Sequence, residues 1–347
     1  MSVKVGIMGA TGYIGVELVR ILSGHENVEI VALGTQNYGG QFIFEVYPHL
    51  AGYNGLVCEE YSPDGFPESV EVLFVALPHG YSMPYAVECK RRGIKMIDLG
   101  ADFRLTDYLE YQQWYEVRHT APELLPEAVY GLPEIKREQI KGAGLIANPG
   151  CYPTSIILAM APLLKNDLID PNSIVADSKS GASGAGRGLA LGVHFSEVNE
   201  NFKAYNVGIH RHTPEIEQEL GQLAGGKLTV SFSPHLLPIT RGILSTVYGK
   251  LNKDISIGDL INLYQEFYHN EFFVRILPEG VLPQTKWTTG SNHCDIGLVV
   301  DPRTGRVVVL SAIDNLVKGA AGQAVQNMNI ICGLPENSAL TCPGLFP

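Results

Sequence analysis

One cysteine of this chain stands where a thiol would be reactive. Cys151 lies in Asn148-Pro149-Gly150-Cys151-Tyr152-Pro153-Thr154, directly before the apolar stretch Ser155–Leu164, which reads as a helix. A helix N-terminus presents unpaired N–H groups and the positive end of the peptide dipole, so a thiol there ionises more readily. Pro153 suits the first turn of such a helix, where its missing N–H is not needed. The setting marks Cys151 as a candidate nucleophile for acyl transfer. Cys58, Cys89, Cys332 and Cys342 lack it and read as small buried hydrophobes, and Cys294, just before a strand, is placed with them.

A cysteine nucleophile needs a base within reach. Ile209-His210-Arg211-His212-Thr213-Pro214-Glu215 offers two histidines and a carboxylate that can orient one of them. His-x-His is also a zinc pattern, but no third ligand and no C-x-x-C accompany it, so no metal is expected. His25 and His269 read as hydrogen-bonded core residues.

A second kind of chemistry is written in glycines. Gly9, Gly12 and Gly15 separate the apolar strand Lys4–Met8 from the helical run Val16–Leu22. In a βαβ unit this turn brings free backbone N–H groups and a helix N-terminus to a pyrophosphate. The spacing is G-x-x-G-x-x-G, a variant of the dinucleotide fingerprint. NAD-specific sites place an acid at the end of the second strand, against the ribose 2′-OH. Here that strand ends in Leu33-Gly34-Thr35-Gln36-Asn37, without an acid, and Glu29 sits at its solvent-facing start. The missing acid favours NADP, although no arginine stands there to meet a 2′-phosphate.

The elements that must position these groups follow from periodicity. Strands at Lys4–Met8, Val28–Leu33, Glu71–Leu77, Lys95–Leu99 and Leu145–Ala147 alternate with helices, including one over Pro84–Arg92. That alternation predicts an α/β fold with a Rossmann-type, doubly wound parallel sheet. After Cys151 come strands at Ser173–Lys179, Lys227–Leu236, Gly242–Gly249, Cys294–Asp301 and Arg306–Ser311, with a helix at Ser256–Tyr268. These predict an α+β catalytic domain, carrying Cys151 and His210, with a mostly antiparallel sheet. The domains are expected at 1–150, for NADP binding, and 151–314, for catalysis. A Gly/Ala-rich helix from Asn315 to about Ile330 is expected to return to the first domain, so that 315–347 complete it.

With 347 residues, 45 % of them hydrophobic, the chain has material for two cores. The net charge of -11 disfavours nucleic acid and anionic membrane surfaces as partners. A small anion would need cations supplied locally, by a few arginines or by helix N-termini. The first residues run straight into a strand and no segment approaches membrane-spanning length, so the cytoplasm is the expected compartment.

Several longer motifs share a single order along the chain. They are GATGYIG (Gly9–Gly15), ALPHG (Ala76–Gly80), DLGADFR (Asp98–Arg104), YGLPE (Tyr130–Glu134) and NPGCYPT (Asn148–Thr154), followed by SGASGAGR (Ser180–Arg187), HRHTPE (His210–Glu215), PITRGI (Pro238–Ile243) and DNLVKGAAGQAVQN (Asp314–Asn327). In these the chain resembles the N-acetyl-gamma-glutamyl-phosphate reductase family, arginine-biosynthesis relatives of aspartate-semialdehyde dehydrogenase. The resemblance implies Cys151 as nucleophile, His210 as acid/base and Glu215 beside it. It implies NADP contacts from Gly9, Thr11, Gly12, Tyr13, Ile14, Thr35, Gln36, Pro78, Ser183, Gly184 and Asn315. Substrate and inorganic phosphate would meet Arg104, Asn148, His212 and Arg241, in a homodimer or homotetramer. The resemblance also implies that 151–314 is the dimerisation and oligomerisation domain. Family members often carry Ser-Arg where this chain has Thr35-Gln36. The same chemistry on aspartyl phosphate is opposed by HRHTPE and YGLPE, and a carrier-bound aminoadipyl phosphate by the acidic charge. A non-catalytic dinucleotide-binding regulator would have no need of Cys151 and His210.

Overall fold

The computed structural model describes residues 2–52 and 55–346. The chain divides into two compact units, Met1–Pro149 with Ala320–Thr341, and Gly150–Gly319 with Cys342–Pro347. The segment that rejoins the first unit is thus shorter than the expected 315–347. Residues 315–319 stay with the second unit because Asn315 is hydrogen-bonded to Ser183 and Gly242 within it.

The first unit is built on a seven-stranded sheet of β1 (Val3–Met8), β2 (Val28–Gly34), β3 (Cys58–Glu59), β4 (Val72–Val75), β5 (Lys95–Asp98), β6 (Ala128–Tyr130) and β7 (Leu145–Ala147), in the order β3-β2-β1-β4-β5-β7-β6. Every neighbouring pair is parallel, as expected. All four residues of β4 are buried, the pattern of a strand covered on both faces. Strand order reverses between β1 and β4, the switch point at which doubly wound sheets bind ligands. The loop Gly9–Gly15 leaves β1 there. The Gly322–Ile331 helix closes this unit: Asn327 Nδ2 donates to Gly131 O at 2.8 Å and to Asn148 Oδ1 at 3.1 Å. His25 joins it through Asn329 Oδ1 at 2.9 Å, which accounts for that buried histidine.

The second unit holds β8 (Ile169–Gly181), β9 (Lys203–Ala204), β10 (Ser231–Leu237), β11 (Ile243–Leu251), β12 (Val274–Ile276), β13 (Cys294–Asp301) and β14 (Arg306–Ile313), in the order β12-β13-β14-β11-β8-β10-β9. The sheet is mixed. The pairs through β13, β14, β11 and β8 are antiparallel, as is β9–β10, while β8–β10 and β12–β13 are parallel. A parallel β8–β10 pair requires a crossover, and the helix Thr213–Ala224 in the connecting chain supplies a helical one.

The helix Cys151–Lys165 lies on this sheet, against β8, β11 and β14. It starts at the cysteine itself, earlier than Ser155, and every residue from Tyr152 to Leu164 is buried. Two features fix its register. Ser155 Oγ meets Ser245 Oγ at 2.6 Å, Ser245 Oγ meets Ser178 Oγ at 2.7 Å, and Ser311 Oγ donates to Ser155 O at 2.9 Å, pinning the helix to three strands. Pro162 has no N–H to give the carbonyl four residues back, and Tyr268 OH donates to that orphan, Leu158 O, at 2.7 Å. The helix that begins at Cys151 is therefore held along its length.

Cys58, Cys89 and Cys294 are buried, and burial pushes the Cys58 and Cys89 thiols up to about 11 and about 12. Cys332 is only partly covered and Cys342 is exposed, against the sequence reading; Cys342 falls in the extended tail beyond the last helix, where nothing packs over it. His269 is also exposed, on the turn that ends a helix, with Nδ1 against Glu266 O at 2.9 Å. Among the described residues no helix is long and apolar enough to cross a membrane, and no group of three or more His, Cys, Asp or Glu could hold a metal.

Candidate active site

In the first unit the three glycines of the β1 loop answer to different constraints. A Cβ on Gly9, whose φ is +82°, would meet Ala76 O at 2.3 Å, and one on Gly15 would meet Gly9 O at 2.1 Å. Both are glycine because backbone crosses backbone. A Cβ on Gly12 would meet nothing nearer than Gly9 O at 3.4 Å. No side chain caps the Tyr13–Leu22 helix that Gly12 opens, and its first turn carries no acid. This is a cradle that only a glycine leaves open, at a positive helix end, and it fits a dinucleotide pyrophosphate. Tyr13, exposed, and Ile14, half-buried, open the helix, and Thr11 Oγ1 lies 3.0 Å from Thr35 Oγ1, joining the loop to the end of β2. Gln36, next in the chain, is exposed, as is Pro78 at the end of β4.

Arg104 and Asn148 also belong to the first unit, and both are buried. Arg104 Nε donates to Asn148 O at 2.8 Å and an Nη to Leu99 O at 3.2 Å, tying the loop after β5 to the end of β7. Asn148 Nδ2 donates to Ala320 O at 3.2 Å. Close by, the buried Asp102 accepts from Gly80 N, Ser82 N, Ser82 Oγ and Tyr111 OH at 2.6–3.0 Å. Asp98, fully buried, is raised to about 7, first by desolvation and then by the Asp102 charge.

The second unit assembles the cysteine site. Gly150 is the N-cap of the Cys151–Lys165 helix, again without a side-chain cap, and its N–H donates to Glu215 Oε1 at 2.8 Å. Glu215 is fully buried in the first turn of the Thr213–Ala224 helix, so this bond clasps two helix N-termini together. His212 is that helix's N-cap residue and packs on Gly150, where a Cβ would stand 2.6 Å from its Nε2. The His210 ring meets Tyr152 at 5.6 Å, Tyr205 at 5.5 Å, Phe232 at 5.2 Å and His212 at 4.9 Å, each edge-on. His210 Nδ1 accepts the His212 N–H at 3.1 Å, which leaves the ring proton on Nε2. Burial, then the neighbouring His212 and Arg211, lower His210 to about 3, so the ring is neutral at neutral pH.

Tyr205 escaped the sequence reading. It donates to Tyr152 OH at 3.0 Å, packs on His210, and is pushed up to about 12, chiefly by burial, with the Cys151 charge adding to it. A tyrosine in an irregular segment carries no periodic signal that would have found it. Ser183, Gly184 and Asn315 do come together: Asn315 Nδ2 donates to Ser183 Oγ at 2.9 Å and would lie 3.7 Å from a Cβ on Gly184. Arg241, 28 % exposed, lies 3.5 Å from the fully buried carboxylate of Asp314.

Comparison with known proteins decides the lineage. Residues 4–143 match the model of the semialdehyde dehydrogenase NAD binding domain, and residues 151–315 match that of the semialdehyde dehydrogenase dimerisation domain. Over its whole length the chain is 68 % identical to an N-acetyl-gamma-glutamyl-phosphate reductase from Pelotomaculum thermopropionicum, covering all of that protein too. The chain belongs to the N-acetyl-gamma-glutamyl-phosphate reductases. A reductase of the same name from Desulforudis audaxviator is 59 % identical, with 99 % of this chain and all of that one covered. Aspartate semialdehyde dehydrogenase II from Vibrio cholerae superimposes with a TM-score of 0.73 at 18 % identity, covering 96 % of this chain and 99 % of that one. The enzyme from Candida albicans, solved with NADP, gives a TM-score of 0.70 at 16 % identity and the same coverage. At such identities these structures establish the fold that the reductases share with the semialdehyde dehydrogenases.

Proposed function

We propose that this chain reduces N-acetyl-L-glutamyl 5-phosphate to N-acetyl-L-glutamate 5-semialdehyde and phosphate, with NADPH, as a step of L-arginine biosynthesis. What carries the reading is the clasp of the Cys151 helix to the His210–Glu215 segment, in a chain 68 % identical over its full length to a reductase of that name.

The Cys151 thiolate adds to the acyl carbon, and the carbon–oxygen bond to phosphate breaks with its electron pair leaving on inorganic phosphate. A thioester remains on Cys151, a better hydride acceptor than a resonance-stabilised carboxylate. NADPH, when bound, supplies the hydride. The thiohemiacetal oxygen that results faces a neutral imidazole, and His210 serves it by donating Nε2–H as charge develops there. The carbon–sulfur bond then breaks, its electron pair returns to sulfur, and the aldehyde departs. Glu215 holds Gly150, and with it the start of the nucleophile's helix. Arg241 is the cation for the phosphate, and Arg104 serves by fixing the Asn148 carbonyl in the turn that leads to Cys151.

Gly9, Thr11, Gly12, Tyr13, Ile14, Thr35, Gln36 and Pro78 are the candidate contacts to the dinucleotide in the first unit; Ser183, Gly184 and Asn315 are candidates in the second. The dinucleotide is NADP, because the end of β2 offers no acid to a free 2′-OH. Replacing Gln36→Arg is expected to tighten NADPH binding by about 1.5–3 kcal/mol and to leave NADH unchanged, read by fluorescence titration. An unmoved ratio of the two affinities would take Gln36 away from the ribose.

The oligomer is a homodimer or homotetramer. It is built on the sheet face opposite the Cys151–Lys165 helix, where Leu244, Tyr248, Val308 and Leu310 are half-exposed. The decisive assay is phosphate-dependent reduction of NADP with N-acetylglutamate semialdehyde, run beside aspartate semialdehyde. Turnover of the second substrate alone would overturn the assignment.

A further inference from the structure

We propose that Asp314 is a positioning residue, whose single carboxylate sets both the cation that meets phosphate and the wall against which the nucleophile rests. The role given to the cation depends on the functional reading above. Asp314 follows β14 and is fully buried. Its Oδ2 accepts the Gly290 N–H at 2.7 Å and lies 3.5 Å from Arg241 Nη1. Its Oδ1 accepts the N–H of Leu316 at 2.8 Å and of Val317 at 3.3 Å. Its main-chain oxygen accepts the Gly319 N–H at 2.9 Å. That bond has the i to i−5 pattern of a π-helix, and Val317–Ala321 is such a turn, a form that tends to occur at functional sites.

The turn has a consequence for Cys151. A Cβ on Gly319 would stand 2.7 Å from Cys151 Cβ and 3.2 Å from its Cα. The glycine main chain therefore lies directly on the cysteine, closing one side of Cβ and limiting the positions open to sulfur. An α-helical path from Asp314 would carry Gly319 elsewhere, so the wall depends on the turn, and the start of the turn depends on Asp314 Oδ1. Through Oδ2 the same group adds an ion-pair restraint on Arg241, which lowers the rotamer freedom that this side chain has to lose on each encounter with phosphate. One buried carboxylate thus couples the attacking atom to the ion that leaves.

Two independent readouts test this. Asp314→Asn keeps the shape and one acceptor oxygen, for the Leu316 and Val317 N–H groups, but removes the charge and turns an NH2 donor toward the Gly290 N–H and Arg241. It is expected to raise the KM for phosphate in the oxidative direction by about tenfold or more, with the NADP KM within about twofold. Asp314→Glu, charged but longer, is expected to show the same split. Gly319→Ala is expected to slow iodoacetamide alkylation of Cys151, followed by mass spectrometry, by about tenfold or more at an unchanged NADPH affinity. Alkylation needs no turnover, so it stands even if the assigned substrate is wrong. Should neither Asp314 variant fold, the Gly319→Ala rate alone decides. Wild-type alkylation in Gly319→Ala would overturn the proposal, as would Asp314 variants that lose thermal stability and kcat without moving the phosphate KM.

Discussion

The Gly9–Gly15 loop and the Gly150–Cys151 turn are one local device used in opposite ways. Each ends in a glycine N-cap with extended backbone, φ −80° and ψ 168° at Gly12, φ −68° and ψ 155° at Gly150, and neither helix start has a side-chain cap. At Gly12 the space a Cβ would take is open; at Gly150 it is filled by the His212 ring, and beside Cys151 a Cβ on Gly319 would meet the cysteine's own Cβ at 2.7 Å. An open helix start offers N–H groups to a large anion from outside. A filled one presents a single side chain with little freedom, which is what a nucleophile needs. The polarity is common to both, and the packing decides whether it binds or reacts.

Variants that act on one turn alone would sharpen this contrast. The largest effect is expected for Cys151→Ser: no measurable turnover, with NADPH affinity within a few-fold of wild type, because serine ionises far less readily than cysteine near neutral pH. Residual activity near wild type would end the covalent mechanism. Next, His210→Asn should lower kcat by about two to four orders of magnitude, the usual span for a proton-handling group. His212→Asn should cost less, and the reverse ranking would reassign the donor. On the other turn, Gly12→Val is expected to weaken NADPH binding by at least about tenfold, some 1.4 kcal/mol, and to spare the rate of Cys151 alkylation. Equal damage to both would deny the separation.

The smallest effect concerns pH and stability. The folded His210 titrates near 3, below the ordinary histidine value of 6.5, so between those values the unfolded chain binds a proton that the folded chain does not. His210 therefore contributes stability that is present above pH 6.5 and is lost as pH falls toward 3. His210→Asn should flatten the fall in thermal midpoint across that window, and an identical slope would contradict the buried, neutral ring.

How much of this was legible in the sequence follows the same contrast. The glycine loop is local: strand, turn and helix adjoin in the chain, so spacing alone locates Gly12. The parallel sheet was legible because β4 is a continuous apolar run. The cysteine site was legible at Cys151, His210 and Glu215, but its partners reach it from far along the chain. The Gly150–Glu215 bond spans 65 residues, and nothing in Asp314-Asn315-Leu316-Val317-Lys318-Gly319 announces a π turn packed on a cysteine. The Thr213–Ala224 helix went unread because Thr-Pro-Glu was weighed for its chemistry. Yet Pro at the first turn, an acid beside it and Gly225 at φ +75° are ordinary start and stop signals. The parallel β8–β10 pair followed from that omission, since the helix is its crossover.

The way the Gly322–Ile331 helix completes the first unit has a consequence for synthesis on the ribosome. Asn327 bonds Gly131 and Asn148 across 196 and 179 residues, and His25 waits for Asn329 across 304. The part of the protein made first is thus the part that cannot be finished until nearly the whole chain has emerged. The stretch Gly150–Gly319, contiguous but for a short tail, has its partners at hand earlier. At typical translation speeds of about 5–20 residues per second, the parallel sheet spends roughly 10–40 s without its closing helix. During that interval the surface that the helix will cover, chiefly on the Pro133–Lys141 and Tyr13–Leu22 helices, is bare, and a chaperone that shields it would act on the nascent first unit.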